Sequence, residues 1–178
     1  MQILSESRIA YPREQVYLAY RDRLPEIANF IPDIREIIVH SKEATDKGIK
    51  LHNEWASDRE IPSMVAKIIK PEHLRWDDYA DWNDDASHVD WVIKTRAFTD
   101  AVTCSGRNSI VAESDGSTLV RLTGELTINV REIPSVPSFL AKRLAPQVEK
   151  FIVSLITPNL EQVNASIERF LDAQAKAK

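Results

Sequence analysis

Apolar and polar positions along the chain change their period three times, and those changes outline the fold. Residues 2–10 alternate as a strand does, and Tyr11-Pro12 ends the run. Pro12 suits the first position of a helix, and Val16, Ala19, Tyr20 and Leu24 then share one helical face. Pro25 starts a second short helix over Glu26 to Phe30, closed by Pro32. From Ile34 to Val130 the period is two, with β-branched and aromatic residues over-represented. Strands are predicted at 34–44, 48–57, 63–70, 73–82, 87–98, 102–114 and 117–130. A parallel crossover needs about a dozen residues or more, and every connection here is shorter, so the sheet is read as an antiparallel meander.

After Pro134 and Pro137 the period becomes helical, with Ser138 placed as an N-cap. Leu144, Val148, Phe151 and Leu155 form one stripe, and Leu160, Val163, Ile167 and Phe170 continue it. Pro158 is expected to kink this helix and Pro146 to split off a first piece over 138–145. The predicted class is α+β. A curved antiparallel sheet of about seven or eight strands grips a long C-terminal helix, with two short helices after the first strand. One domain is expected over 1–174, with 175–178 a frayed tail.

Strand parity assigns side chains to the face that the long helix covers. Asn53 and Trp55 fall inside in one strand, Trp76, Asp78 and Trp82 in another, and Trp91 and Thr95 in a third. In the strand predicted at 63–70, parity turns Met64, Ala66 and Ile68 inward. All four tryptophans (Trp55, Trp76, Trp82 and Trp91) thus share the interior with a few polar groups, Asn108 among them. Filling an ordinary core accounts for any single tryptophan. Asp78 is harder to explain that way, because an unpaired buried carboxylate is costly. An apolar, aromatic face bearing a few polar groups is the profile of a small-molecule pocket.

Composition narrows the partners. The chain has 178 residues, 43% hydrophobic and 28% charged, which fits one globular domain. A net charge of −4 argues against nucleic acid as a main partner. The N-terminus shows no signal peptide and no apolar run reaches membrane-span length, so a cytoplasmic location is expected. One cysteine, Cys104, excludes an internal disulfide, and its interior parity marks a buried structural thiol.

Catalytic signatures of serine hydrolases, zinc peptidases, phosphate loops and dinucleotide sites are missing. Four scattered histidines (His40, His52, His73 and His88) do not have metal-ligand spacing, so no metal and no cofactor are expected. The acidic run from Asp77 to Asp85 opens like a calcium loop from Asp81. It then places Ala86 where glycine belongs and Val92 where glutamate belongs. A solvated acidic hairpin end is the better reading.

The order of elements resembles the START-like helix-grip superfamily, which includes polyketide cyclases, pollen-allergen-type proteins and lipid-transfer domains. Ser7 to Tyr17, the Leu24 to Ile34 segment, Gly124-Glu125-Leu126 and the 138–173 helix carry the resemblance. It implies a cavity between sheet and last helix holding a lipid, polyketide, sterol or other apolar ligand. It transfers no catalytic residue. The first expectation is a non-catalytic carrier, its ligand lying against Asn53, Trp55, Trp76, Asp78, Trp91 and Asn108, with Phe151 and Leu155 as the lid. The second is a cyclase, dehydratase or hydrolase using Asp78 as general acid or base in the same cavity. The oligomeric state is left open.

Overall fold

A computed structural model of the chain describes residues 1–67, 69–96, 101–133 and 138–177, with the backbone alone for 138–142 and 144. Its architecture is the predicted α+β helix grip. Strand β1 (Gln2–Ile9) leads into α1 (Arg13–Asp22) and α2 (Leu24–Ile27), and a 3-10 turn over Ala28–Phe30 completes the second short helix. Six strands follow: β2 (Ile34–Thr45), β3 (Gly48–Ser57), β4 (Arg75–Asn83), β5 (His88–Thr95), β6 (Val102–Ala112) and β7 (Thr118–Ile128). Helix α3 (Ser138–Lys176) closes the chain. The sheet is antiparallel throughout, in the order β1-β7-β6-β5-β4-β3-β2. The meander therefore runs from β2 to β7, and β1 returns to pair with β7.

The strand expected over 63–70 does not form. Residues 63–67 are turns, in which Ala66 N–H donates to the Pro62 carbonyl and Ile69 N–H to that of Val65. Val65 and Ile69 are buried, whereas Met64 is 65% exposed. The buried positions thus recur every four residues, as in a helical turn, and the period-two reading placed the wrong side chains inside. The sheet has seven strands. Residue Ile68, Pro134, Pro137 and the last positions of the expected 87–98 strand lie outside the described residues, as do the side chains of Ser138, Lys142 and Leu144.

Pro146 and Pro158 both sit inside α3, so Pro146 does not split it, and the helix continues past Gln174 to Lys176. Proline at 158 removes the N–H that would bond the Ser154 carbonyl four residues earlier. Arg59, from the loop after β3, reaches across and donates to that carbonyl at 2.6 Å. The helix face below this point carries Val148, Ile152, Ile156, Val163, Ile167 and Phe170, all buried. Of the expected stripe, Val148, Phe151, Leu155, Val163, Ile167 and Phe170 are buried and Leu160 is half-buried, and the helix packs on β1, β7 and the two short helices.

Parity holds across the meander, but the outer face is less solvated than its composition suggests. Glu54 is 5% exposed. His40 hydrogen-bonds it at 2.7 Å, Arg96 at 2.8 Å, and Arg75 also donates to it. The His40 bond, followed by the two guanidinium groups, holds the Glu54 carboxyl below its ordinary range. The acidic hairpin end is likewise not merely hydrated. Asp84 accepts from the Tyr17 hydroxyl at 2.7 Å and from Arg21 at 2.8 Å, which ties α1 to the β4–β5 turn. Among the described residues no group of acidic, histidine or cysteine side chains could hold a metal ion.

Candidate ligand-binding site

Pleat and register build the site from the middle of the sheet. Asp78 in β4 faces Asn53 across β3 and Ile93 across β5, and Trp55 pairs with Trp76 while Ala80 pairs with Trp91. On the inner face Asp78 therefore has Trp76 two residues away along its own strand and Trp55 and Trp91 on the two diagonals. Diagonal neighbours lie roughly 7–8 Å apart, within reach of an indole. Trp55 and Trp76 stack with ring centroids 5.9 Å apart. Trp82 stands further along β4, edge-on to Tyr17 and Tyr20 at 5.1 and 5.2 Å.

A cavity lies between this face and the helices. Its sheet side includes Leu51, Asn53, Trp55, Trp76, Asp78 and Trp91; Tyr20 and Leu24 close one end, and Ile156, Asn159, Leu160 and Val163 cover it from α3. The space enclosed is about 40 Å³. That is room for a few waters, well under the roughly 300 Å³ of a small ligand pocket. A wider groove of about 720 Å³ lies on the opposite, polar face of the sheet among Lys50, His52, Tyr79, Asp81 and Asp90.

Five of the eight expected site residues line the cavity: Asn53, Trp55, Trp76, Asp78 and Trp91. Asn108 does not. It is buried behind Trp91, accepting from the indole Nε1 at 3.0 Å and donating to the Tyr20 hydroxyl at 2.7 Å. Phe151 and Leu155 are buried in the core and do not line the cavity, whose α3 side is Ile156, Asn159, Leu160 and Val163. Sequence reasoning placed Trp82 on the inner face without assigning it to the site, and missed Tyr20, which its helical stripe with Val16 and Ala19 could have revealed.

The polar groups in this cavity are incompletely paired. Asn53, 1% exposed, donates through Nδ2 to Asp78 Oδ2 at 3.1 Å, while its Oδ1 has no partner among the described residues. The indole N–H groups of Trp55 and Trp82 also have none. Burial pushes the Asp78 carboxyl up to about 6. The Asn53 amide and the nearby Trp55 N–H, which sits close without completing a hydrogen bond, work against that rise. Burial first, and then the Asp78 charge, raise the Tyr20 phenol above its ordinary value and keep it neutral. The Cys104 thiol, 1% exposed, is pushed up to about 12 by burial, as expected of a structural cysteine.

No protein-family model matches the sequence, and no curated protein matches it. Solved structures do match the fold. An aromatase/cyclase called Zhui from a Streptomyces species aligns with a TM-score of 0.65 at 14% identity, covering 96% of this chain and 95% of that one. A Thermus thermophilus protein, TTHA0849, gives 0.63 at 17% identity over 94% and 97% of the two chains. A START superfamily protein from Mycobacterium smegmatis gives 0.50 at 14% identity over 91% and 98%. The chain has the START-like helix-grip fold, along nearly its whole length. Among the described residues no helix is long and apolar enough to cross a membrane.

Proposed function

We propose that the protein binds and carries a hydrophobic small molecule between the sheet and α3. The observation that carries this reading is the set of unpartnered polar atoms, Asn53 Oδ1 and the Trp55 and Trp82 N–H groups, inside an otherwise apolar, tryptophan-lined space. A finished core leaves few such atoms, because each costs about 1–3 kcal/mol. A ligand that pairs with them recovers that energy and adds apolar burial at about 25 cal/mol per Å².

Occupation requires the cavity to widen. The covering segment of α3 is suited to this, since Pro158 interrupts its backbone ladder and the Ser154 carbonyl is held from outside by Arg59. Titrating a panel of lipids, polyketide-like aromatics and sterols should change tryptophan emission and raise the melting temperature for at least one class. Silence of emission, thermal shift and native mass across that panel would remove the carrier reading.

A second reading is catalytic. A carboxyl lifted to about 6 in apolar surroundings is suited to acid–base work at neutral pH. It predicts that Asp78→Asn abolishes turnover of a substrate found by the same panel.

A further inference from the structure

The charge inventory of the cavity says what kind of ligand it takes. Resting on the binding role proposed above, we infer that the cavity recognises a protonated amine carried on a small aromatic or aliphatic body.

Asp78 lines the cavity and makes no ion pair among the described residues, and none of the described side chains lining it is cationic. His52 and Arg96 are turned to the outer face, bound to Asp77. An unpaired carboxylate in such surroundings is retained at a cost to folding, and a cation from outside is the partner that removes the cost. A neutral lipid would leave that charge unbalanced, and an anionic one, such as a fatty acid, would be repelled by it.

The walls point the same way. Trp55, Trp76 and Trp91 surround Asp78 on the strand lattice, and the negative face of an indole attracts a cation within about 6 Å. Hydrogen bonding then separates primary and secondary amines from quaternary ones. Beside the carboxylate, Asn53 Oδ1 is a buried acceptor with no donor. An ammonium N–H can serve Asp78 and Asn53 together, whereas a quaternary nitrogen has no N–H to give. The unpartnered N–H of Trp82 calls for an acceptor elsewhere on the ligand, such as a hydroxyl or carbonyl oxygen.

Three probes of nearly equal shape test this: benzylamine, benzyl alcohol and benzoate, titrated calorimetrically into the full chain at about pH 7.5. Benzylamine is expected to bind at least about tenfold more tightly than benzyl alcohol, with benzoate weakest. The preference should collapse in Asp78→Asn, and in the unmodified protein when the pH is taken to about 5, where benzylamine keeps its charge and Asp78 loses much of its own. The pH arm needs no variant, so a misfolded mutant cannot rescue or sink the idea. Equal binding of amine and alcohol overturns the inference while leaving the apolar cavity reading in place. Tighter binding of benzoate, or a preference that survives both Asp78→Asn and acidification, also overturns it. If none of the three binds, the amine inference fails, and the lipid and sterol panel decides the broader reading by itself.

Discussion

Asp78→Asn should stabilise the protein by about 1–2 kcal/mol near pH 8, since the carboxyl is only partly shielded from solvent, although the change alters a residue at the centre of the site. The carboxyl stands at 3.8 in its ordinary state and is lifted to about 6 by burial. A folded-state value above the unfolded one means that the folded protein holds the proton more tightly. The carboxyl's contribution to stability is therefore fully present below about pH 4 and is lost as the pH rises through about 6. Asparagine removes that loss, and its amide can also donate to the unpartnered Asn53 Oδ1. A domain of this size gains roughly 2–4 °C per kcal/mol, so the melting temperature should rise by about 2–8 °C near pH 8. The gain should shrink to nothing near pH 4. A variant no more stable than the parent at pH 8 would mean that Asp78 is not an isolated buried charge.

The opposite effect is expected at Gly106. The Trp91 indole lies across two glycines that face one another on β6 and β7, Gly106 and Gly124. A methyl group at Gly106 would run into both the Thr123 carbonyl and the six-membered ring of Trp91, and the carbonyl, being backbone, cannot easily give way. At Gly124 it would meet the ring at 2.9 Å and the Ser105 carbonyl at 3.0 Å. Gly106→Ala should therefore cost about 2–4 kcal/mol, and Gly124→Ala about half as much, in urea unfolding. Displacing Trp91 also strains its bond to Asn108, so any ligand binding by a folded Gly106→Ala protein should weaken. If both variants unfold at the parent's urea midpoint, the indole is not seated on the glycines.

What could be read from the sequence follows the strength of its local pattern. The meander was legible because period two runs through Trp76, Asp78, Ala80 and Trp82 and through Val89, Trp91 and Ile93, with connections from β4 to β7 too short for parallel pairing. The β3–β4 connection, without its expected strand, is long enough that its length does not decide the direction. The period-two rule failed at 63–70, where Val65 and Ile69 are the buried pair and only four-residue spacing accounts for them. Parity also turned Asn108 inward correctly, yet it could not show that Asn108 sits behind Trp91 instead of in the cavity. A strand pattern gives the face of a side chain and not its depth.

The covering turns of α3 were misplaced for a related reason. Phe151 and Leu155 share the apolar stripe with Ile156 and Val163, and the stripe alone does not say which turns stand over the middle of the sheet. Tertiary placement decides it, and the interrupted turn at Pro158 falls among those turns. The burial of Glu54 was beyond reach as well, since it depends on His40, Arg75 and Arg96 arriving from three other positions in the chain.

The central claim is that the space between the sheet and α3 receives a small molecule. The direct measurement is a crystal structure of the protein soaked with the tightest member of the panel. Density is expected against Trp55, Trp76 and Trp91, with a polar contact to Asn53 or Asp78 and with residues 156–163 of α3 moved outward from the sheet. Density confined to the open groove beside His52 and Tyr79, with none in the inner cavity, would contradict the claim.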